Sequence, residues 1–107
     1  MNVTYNERAK HAVDRLALLQ QATKQLEEVV GRHSVSVNAE WDRTEDENGR
    51  PLYILRIVDG TDSAETAFAP DELKPSYHLQ IRLYRLWGEL LQARNERQLQ
   101  ALTKNEE

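Results

Sequence analysis

Cysteine is absent from the 107 residues. That single absence removes disulfides, thiolate zinc sites and thiol nucleophiles, and it leaves the redox compartment unmarked. Glycine occurs four times and proline three times, too sparsely for a phosphate-cradling loop of the P-loop or dinucleotide type. No apolar run approaches transmembrane length, and the opening MNVTYNERAKH lacks the apolar stretch of a signal peptide. A cytoplasmic location is the default expectation. The three histidines, His11, His33 and His78, stand on separate segments with no His-x-x-x-His or Glu-x-x-His spacing. No metal ligand set, cofactor motif or Ser-His-Asp signature is legible, so a non-enzymatic protein is expected.

What is present is charge, unevenly placed. The net charge is −4, with 30 % charged and 39 % hydrophobic residues. Residues 1–39 are close to neutral, residues 40–72 strongly acidic, and residues 73–104 basic. An acidic middle flanked by a mildly basic end allows head-to-tail attraction, yet it is a poor footprint for nucleic acid.

Thr4 and Glu7 have capping-box spacing, which predicts a helix from Thr4 to Val30. Ala9, Ala12, Val13, Leu16, Leu19, Ala22, Leu26, Val29 and Val30 fall at helical intervals along it. Gly31 then occupies the position of a left-handed C-terminal cap. From Ser34 to Trp41 the pattern alternates, with Val35, Val37, Ala39 and Trp41 on one side of a half-exposed strand. Asn48-Gly49 marks a turn. Pro51 to Val58 is apolar on both faces, which predicts a central or doubly covered strand. Asp59-Gly60 marks a second turn, and Ser63 to Ala69 can form a short strand with Ala64, Thr66 and Phe68 on one side. Pro70 to Leu73 can form a helical turn.

The last third, from Pro75 to Thr103, reads as one long helix with two apolar stripes. Leu79, Leu83, Leu86, Leu90 and Ala93 form the first. Ile81, Tyr84, Gly88, Leu91, Asn95 and Leu102 form the second, rotated by about a third of a turn, with Trp87 between. With Ile81 at position a of a heptad, Tyr84 and Leu91 fall at d and Gly88, Asn95 and Leu102 at a. Two packing partners are open for the second stripe, the first helix of the same chain or another chain. The face carrying His78, Arg82, Arg85, Glu89, Gln92 and Glu96 reads as solvated, with Arg85 and Glu89 paired at i, i+4.

The expected architecture is therefore a single two-layer α+β domain over residues 1–104, in the order α-β-β-(β)-α. A small antiparallel sheet packs against an N-terminal helix and a long C-terminal helix, and residues 105–107 form a frayed tail. The order alone is similar to that of the double-stranded RNA-binding domain. However, Lys74-Pro75-Ser76-Tyr77-His78 supplies one lysine where that family has a lysine-rich cluster, and the hairpin loop is acidic. No nucleic acid and no membrane are expected as partners.

The acidic loop Asp42, Glu45, Asp46 and Glu47 departs from a calcium-loop pattern, since position twelve counted from Thr44 is Leu55. It reads as a turn. The expected function is a protein–protein interaction domain that forms a homodimer through Ile81, Tyr84, Trp87, Gly88, Leu91, Asn95 and Leu102. Two alternatives stand beside it. One is an acidic adaptor or export-chaperone-like dimer whose sheet receives a client segment. The other is a small-ligand or metal-binding domain using Asp59, Asp62 and Glu65.

Overall fold

A strand with apolar residues on both faces needs neighbours on both edges, and this requirement places Pro51–Asp59 at the middle of the sheet. The computed structural model describes residues 1–10 and 13–105, with side chains given for 1–10, 15–103. His11, Ala12, Glu106 and Glu107 of the readings above lie outside the described residues. The elements are β1 (Asn2–Tyr5), α1 (Glu7–Lys10), α2 (Val13–Val30), β2 (Asn38–Glu45), β3 (Pro51–Asp59), β4 (Asp62–Phe68) and α3 (Tyr77–Asn105). Short 3-10 helices cover Gly31–Val35 and Pro70–Leu73. The sheet order is β1-β2-β3-β4, with β2, β3 and β4 antiparallel to one another. The α+β two-layer architecture is as expected.

The sheet is wider than the sequence reading allowed. Thr4 does not cap a helix; it lies in β1, which pairs parallel to β2 from Asn2↔Asn38 to Tyr5↔Trp41. Val3 and Tyr5 lean on the core from this edge, and α1 begins only after Asn6, whose carbonyl accepts from Lys10 N–H at 2.9 Å. Alternation over four residues outweighs a capping signal when an open strand edge is there to be paired. The first strand–helix–strand passage is therefore a parallel crossover, and the sheet is mixed.

The second difference lies between α2 and β2. Gly31 takes φ 63, the left-handed conformation a C-terminal cap requires, but the chain then makes a 3-10 turn instead of a strand. Val35 points into solvent and β2 starts at Asn38. At the next corner, Asp46 Oδ1 accepts from the N–H groups of Asn48 (2.8 Å) and Arg50 (2.9 Å). Its carboxylate is thereby committed to the turn. The β3–β4 link is a two-residue hairpin loop in which Gly60 has φ 64 and Thr61 does not, the signature of a type II′ turn.

Both layers meet in one core. Ala39 and Trp41 of β2, Tyr53, Leu55 and Ile57 of β3, and Phe68 of β4 face Leu19, Ala22 and Leu26 of α2 and Leu79, Leu83, Leu86 and Leu90 of α3. Each of the larger aliphatic side chains contributes about 1.5–3 kcal/mol by leaving water. The other face of β3 is uncovered: Leu52, Ile54 and Val58 are half-buried and Arg56 is exposed, lying 3.8 Å from Glu40. The strand is central, and covered once.

One polar relay crosses the layers. Trp41 Nε1–H donates to Thr23 Oγ1 at 2.9 Å, and that hydroxyl donates to Leu19 O at 2.8 Å. Thr23 is buried, so its removal strands the indole N–H away from water. Thr23→Val should lower the unfolding free energy by about 1–3 kcal/mol despite matching volume, as read from the urea midpoint.

Candidate interaction surface

At about 100° per residue, Leu79, Leu83, Leu86 and Leu90 occupy one arc of α3, and Tyr84, Leu91, Asn95 and Leu102 a second arc about 130° away. A helix lying on a sheet hides one arc. The first is the hidden one.

Arginines on α3 hold that orientation. Arg82 reaches back to the edge of β4, donating to Thr66 Oγ1 (2.9 Å), Ala67 O (2.7 Å) and Glu72 Oε2 (2.7 Å), with its guanidinium 4.2 Å from the Phe68 ring centroid. Further along, Arg94 pairs with Asp59. Arg97 donates from Nε and Nη2 to both carboxylate oxygens of Asp62 at 3.0–3.3 Å. Asp62 is only 6 % exposed. Its hydrogen bonds and its charge raise the pKa of Arg97 above the ordinary arginine value. The Arg82 contacts correct the reading of a purely solvated face, and Arg85–Glu89 is not among the ion pairs of the described residues.

The same contacts separate the three carboxylates proposed for a ligand. Asp59 and Asp62 are engaged by arginines, while Glu65 lies on the opposite face of β4, in register with Arg56. No group of three or more metal-ligating side chains converges among the described residues. Three arginines of α3, Arg82, Arg94 and Arg97, face carboxylates.

What α3 leaves outside is apolar. Tyr77 is 74 % exposed, Tyr84 54 %, Leu91 36 %, Leu99 62 % and Leu102 61 %. Among the described residues, Val35 alone joins them as a large exposed hydrophobic side chain. Gly88 and Asn95 are exposed between them and Ile81 is half-buried. Helix α2 therefore does not fill the second stripe. Trp87 is placed differently from its neighbours: it is buried, its ring 5.9 Å from that of His33, and it joins the core where α2 runs into the 3-10 turn. The sequence spacing placed neither Tyr77 nor Leu99 on the stripe. Tyr77 extends the i, i+4 spacing one turn before Ile81, and Leu99 lies on the flank of the stripe where an apolar residue does not fit the a/d pattern.

A groove of about 700 Å³ opens beside the first turns of α3, lined by Leu79, Ile81, His78 and Arg85 and by Asp71 and Glu72 of the preceding 3-10 helix. It is continuous with the stripe through Ile81. A second groove, of about 550 Å³, lies at the far end of the sheet between Arg8 and Arg43.

No protein family matches the chain, and neither does any curated protein or solved structure. No helix among the described residues is long and apolar enough to cross a membrane.

Asp62→Asn should release the far half of α3. Amide exchange across Ala93–Arg97 is expected to accelerate while the β2 and β3 amides keep their protection, as resolved by hydrogen-exchange mass spectrometry.

Proposed function

We propose that the protein is a non-catalytic interaction domain that forms a homodimer through the outer stripe of α3. The observation that carries this reading is the exposure of Tyr77, Tyr84, Leu91, Leu99 and Leu102 on one side of one helix. Scattered apolar residues on a surface are ordinary, but a continuous stripe along a rigid element is the pattern of a binding face.

Gly88 adds a second argument. A glycine inside a helix costs about 0.5–1 kcal/mol relative to alanine. A Cβ built at Gly88 meets nothing within 4 Å, so packing inside this chain gives no reason for the gap. A second helix backbone crossing close at that point supplies one. Two of the three acidic groups that could have served chemistry, Asp59 and Asp62, are paired with arginines, which favours binding. The runner-up is a dimer whose uncovered sheet face receives a client segment, supported by half-buried Leu52, Ile54 and Val58.

Light scattering after size exclusion tests the reading, and a monomer at micromolar concentration would sink it. Leu91→Glu should keep the circular dichroism spectrum and raise the dimer dissociation constant at least about tenfold, equivalent to about 1.4 kcal/mol. Gly88→Ala separates the two roles of that residue. It should stabilise the isolated chain by about 0.5–1 kcal/mol in urea while weakening the dimer.

A further inference from the structure

The fold treats the two edges of its sheet differently. On β4, Arg82 occupies the carbonyl of Ala67, so a further strand meets a competitor there. β1 has no such cover. Asn6 N–H donates to Trp41 O at 2.9 Å, which turns Asn2, Thr4 and Asn6 toward β2. Backbone groups alternate sides along a strand, so the N–H and C=O of Val3 and Tyr5 point away from the sheet. Neither residue makes a backbone hydrogen bond to another element among the described residues. Unpaired groups at strand spacing are matched by one kind of partner, another extended backbone.

β1 is four residues long, and pairing to Val3 and Tyr5 alone is too little to hold a strand in water. What the edge lacks lies beside it. A third groove, of about 470 Å³, runs between β1 and α2, lined by Val3, Tyr5, Ala17, Gln20, Lys24 and Glu27 among others. Val3 and Tyr5 are half-buried, while Ala17, Gln20, Lys24 and Glu27 are exposed on the helix side. A strand laid along β1 directs every second side chain toward this groove. Lys24 and Glu27 cancel in charge, and Val3, Tyr5 and Ala17 give the lining an apolar part, so an uncharged apolar side chain fits it. A second copy of this chain suits the place less well. Its own Val3 and Tyr5 are packed against its own core, so edge-to-edge pairing brings no free side chain to either groove.

We infer that β1 is an acceptor edge for an extended segment of another protein. The segment pairs with the backbone of Val3 and Tyr5 and lays uncharged apolar side chains, at alternate positions, over the groove between β1 and α2. This surface lies on other elements than α3 and does not rest on the homodimer reading.

The probe is a phage-displayed library of random peptides, panned on the full-length protein. Selected peptides should alternate uncharged apolar with polar residues, and a synthetic copy of one should slow amide exchange of Val3 and Tyr5, read by NMR. Val3→Pro removes an N–H that the fold itself does not use. It should keep the circular dichroism spectrum and raise the dissociation constant of the peptide at least about tenfold. Ala17→Arg crowds the groove from an exposed helix position and leaves β1 untouched; it should weaken binding likewise. Three results overturn the inference: no peptide is selected, the selected peptides protect α3 amides instead, or both variants bind them as the unaltered chain does. A fall in the light-scattering mass of the chain on Val3→Pro assigns the edge to a second copy and overturns it too.

Discussion

The rotation of α3 about its own axis decides what this molecule shows to its surroundings, and the flanking arginines fix it. Arg82 ties the start of the helix to the edge of β4, while Arg94 and Arg97 tie its middle to Asp59 and Asp62 around the β3–β4 turn. Between these anchors the leucine arc from Leu79 to Leu90 has no freedom to roll, so the Tyr84–Leu91–Leu102 arc is held outward. The pairs do more for orientation than for stability. Exposed ion pairs contribute little on their own, but a buried carboxylate such as Asp62 makes any alternative rotation costly by leaving its charge unmatched.

The same arginines account for two absences of fit between residue type and chemistry. Asp59 and Asp62 after an apolar strand look like reactive groups, and their companion Glu65 is three residues on. Strand alternation sends Glu65 to the opposite face, and the α3 arginines occupy the other two. Arg82 also covers a carbonyl at the outer edge of β4, blunting an edge that would otherwise invite pairing with another strand. A basic helix face and an acidic loop, each suggestive alone, are largely consumed by one another.

Much of the architecture was legible in the sequence because its signals were periodic and long. The two stripes of α3, the β3 alternation, the Asn48-Gly49 and Asp59-Gly60 turns and the side of β4 carrying Ala64, Thr66 and Phe68 all follow from spacing. What escaped was decided by tertiary pairing. β1 is four residues long, and its strand character depends on an unpaired β2 edge more than thirty residues away. Val35 continues the alternation of β2 on paper, yet the left-handed Gly31 starts a 3-10 turn that carries it into solvent. Trp87 sits between the two stripes by spacing, and only the position of His33 beyond the end of α2 decides that it turns inward. Leu99 falls at position e of the heptad, outside the a/d pattern, and so escapes a reading by spacing.

The distribution of aromatic residues divides the optical signals of the molecule by location. Both tryptophans are enclosed, Trp41 between the layers and Trp87 against His33, whereas Tyr77 and Tyr84 stand on the outer arc of α3. Indole emission therefore reports loss of the interior, whereas phenol absorbance mixes Tyr53 of the core with Tyr77 and Tyr84 of the outer arc. Loss of the interior of the unlabelled polypeptide can thus be followed through its two indoles alone.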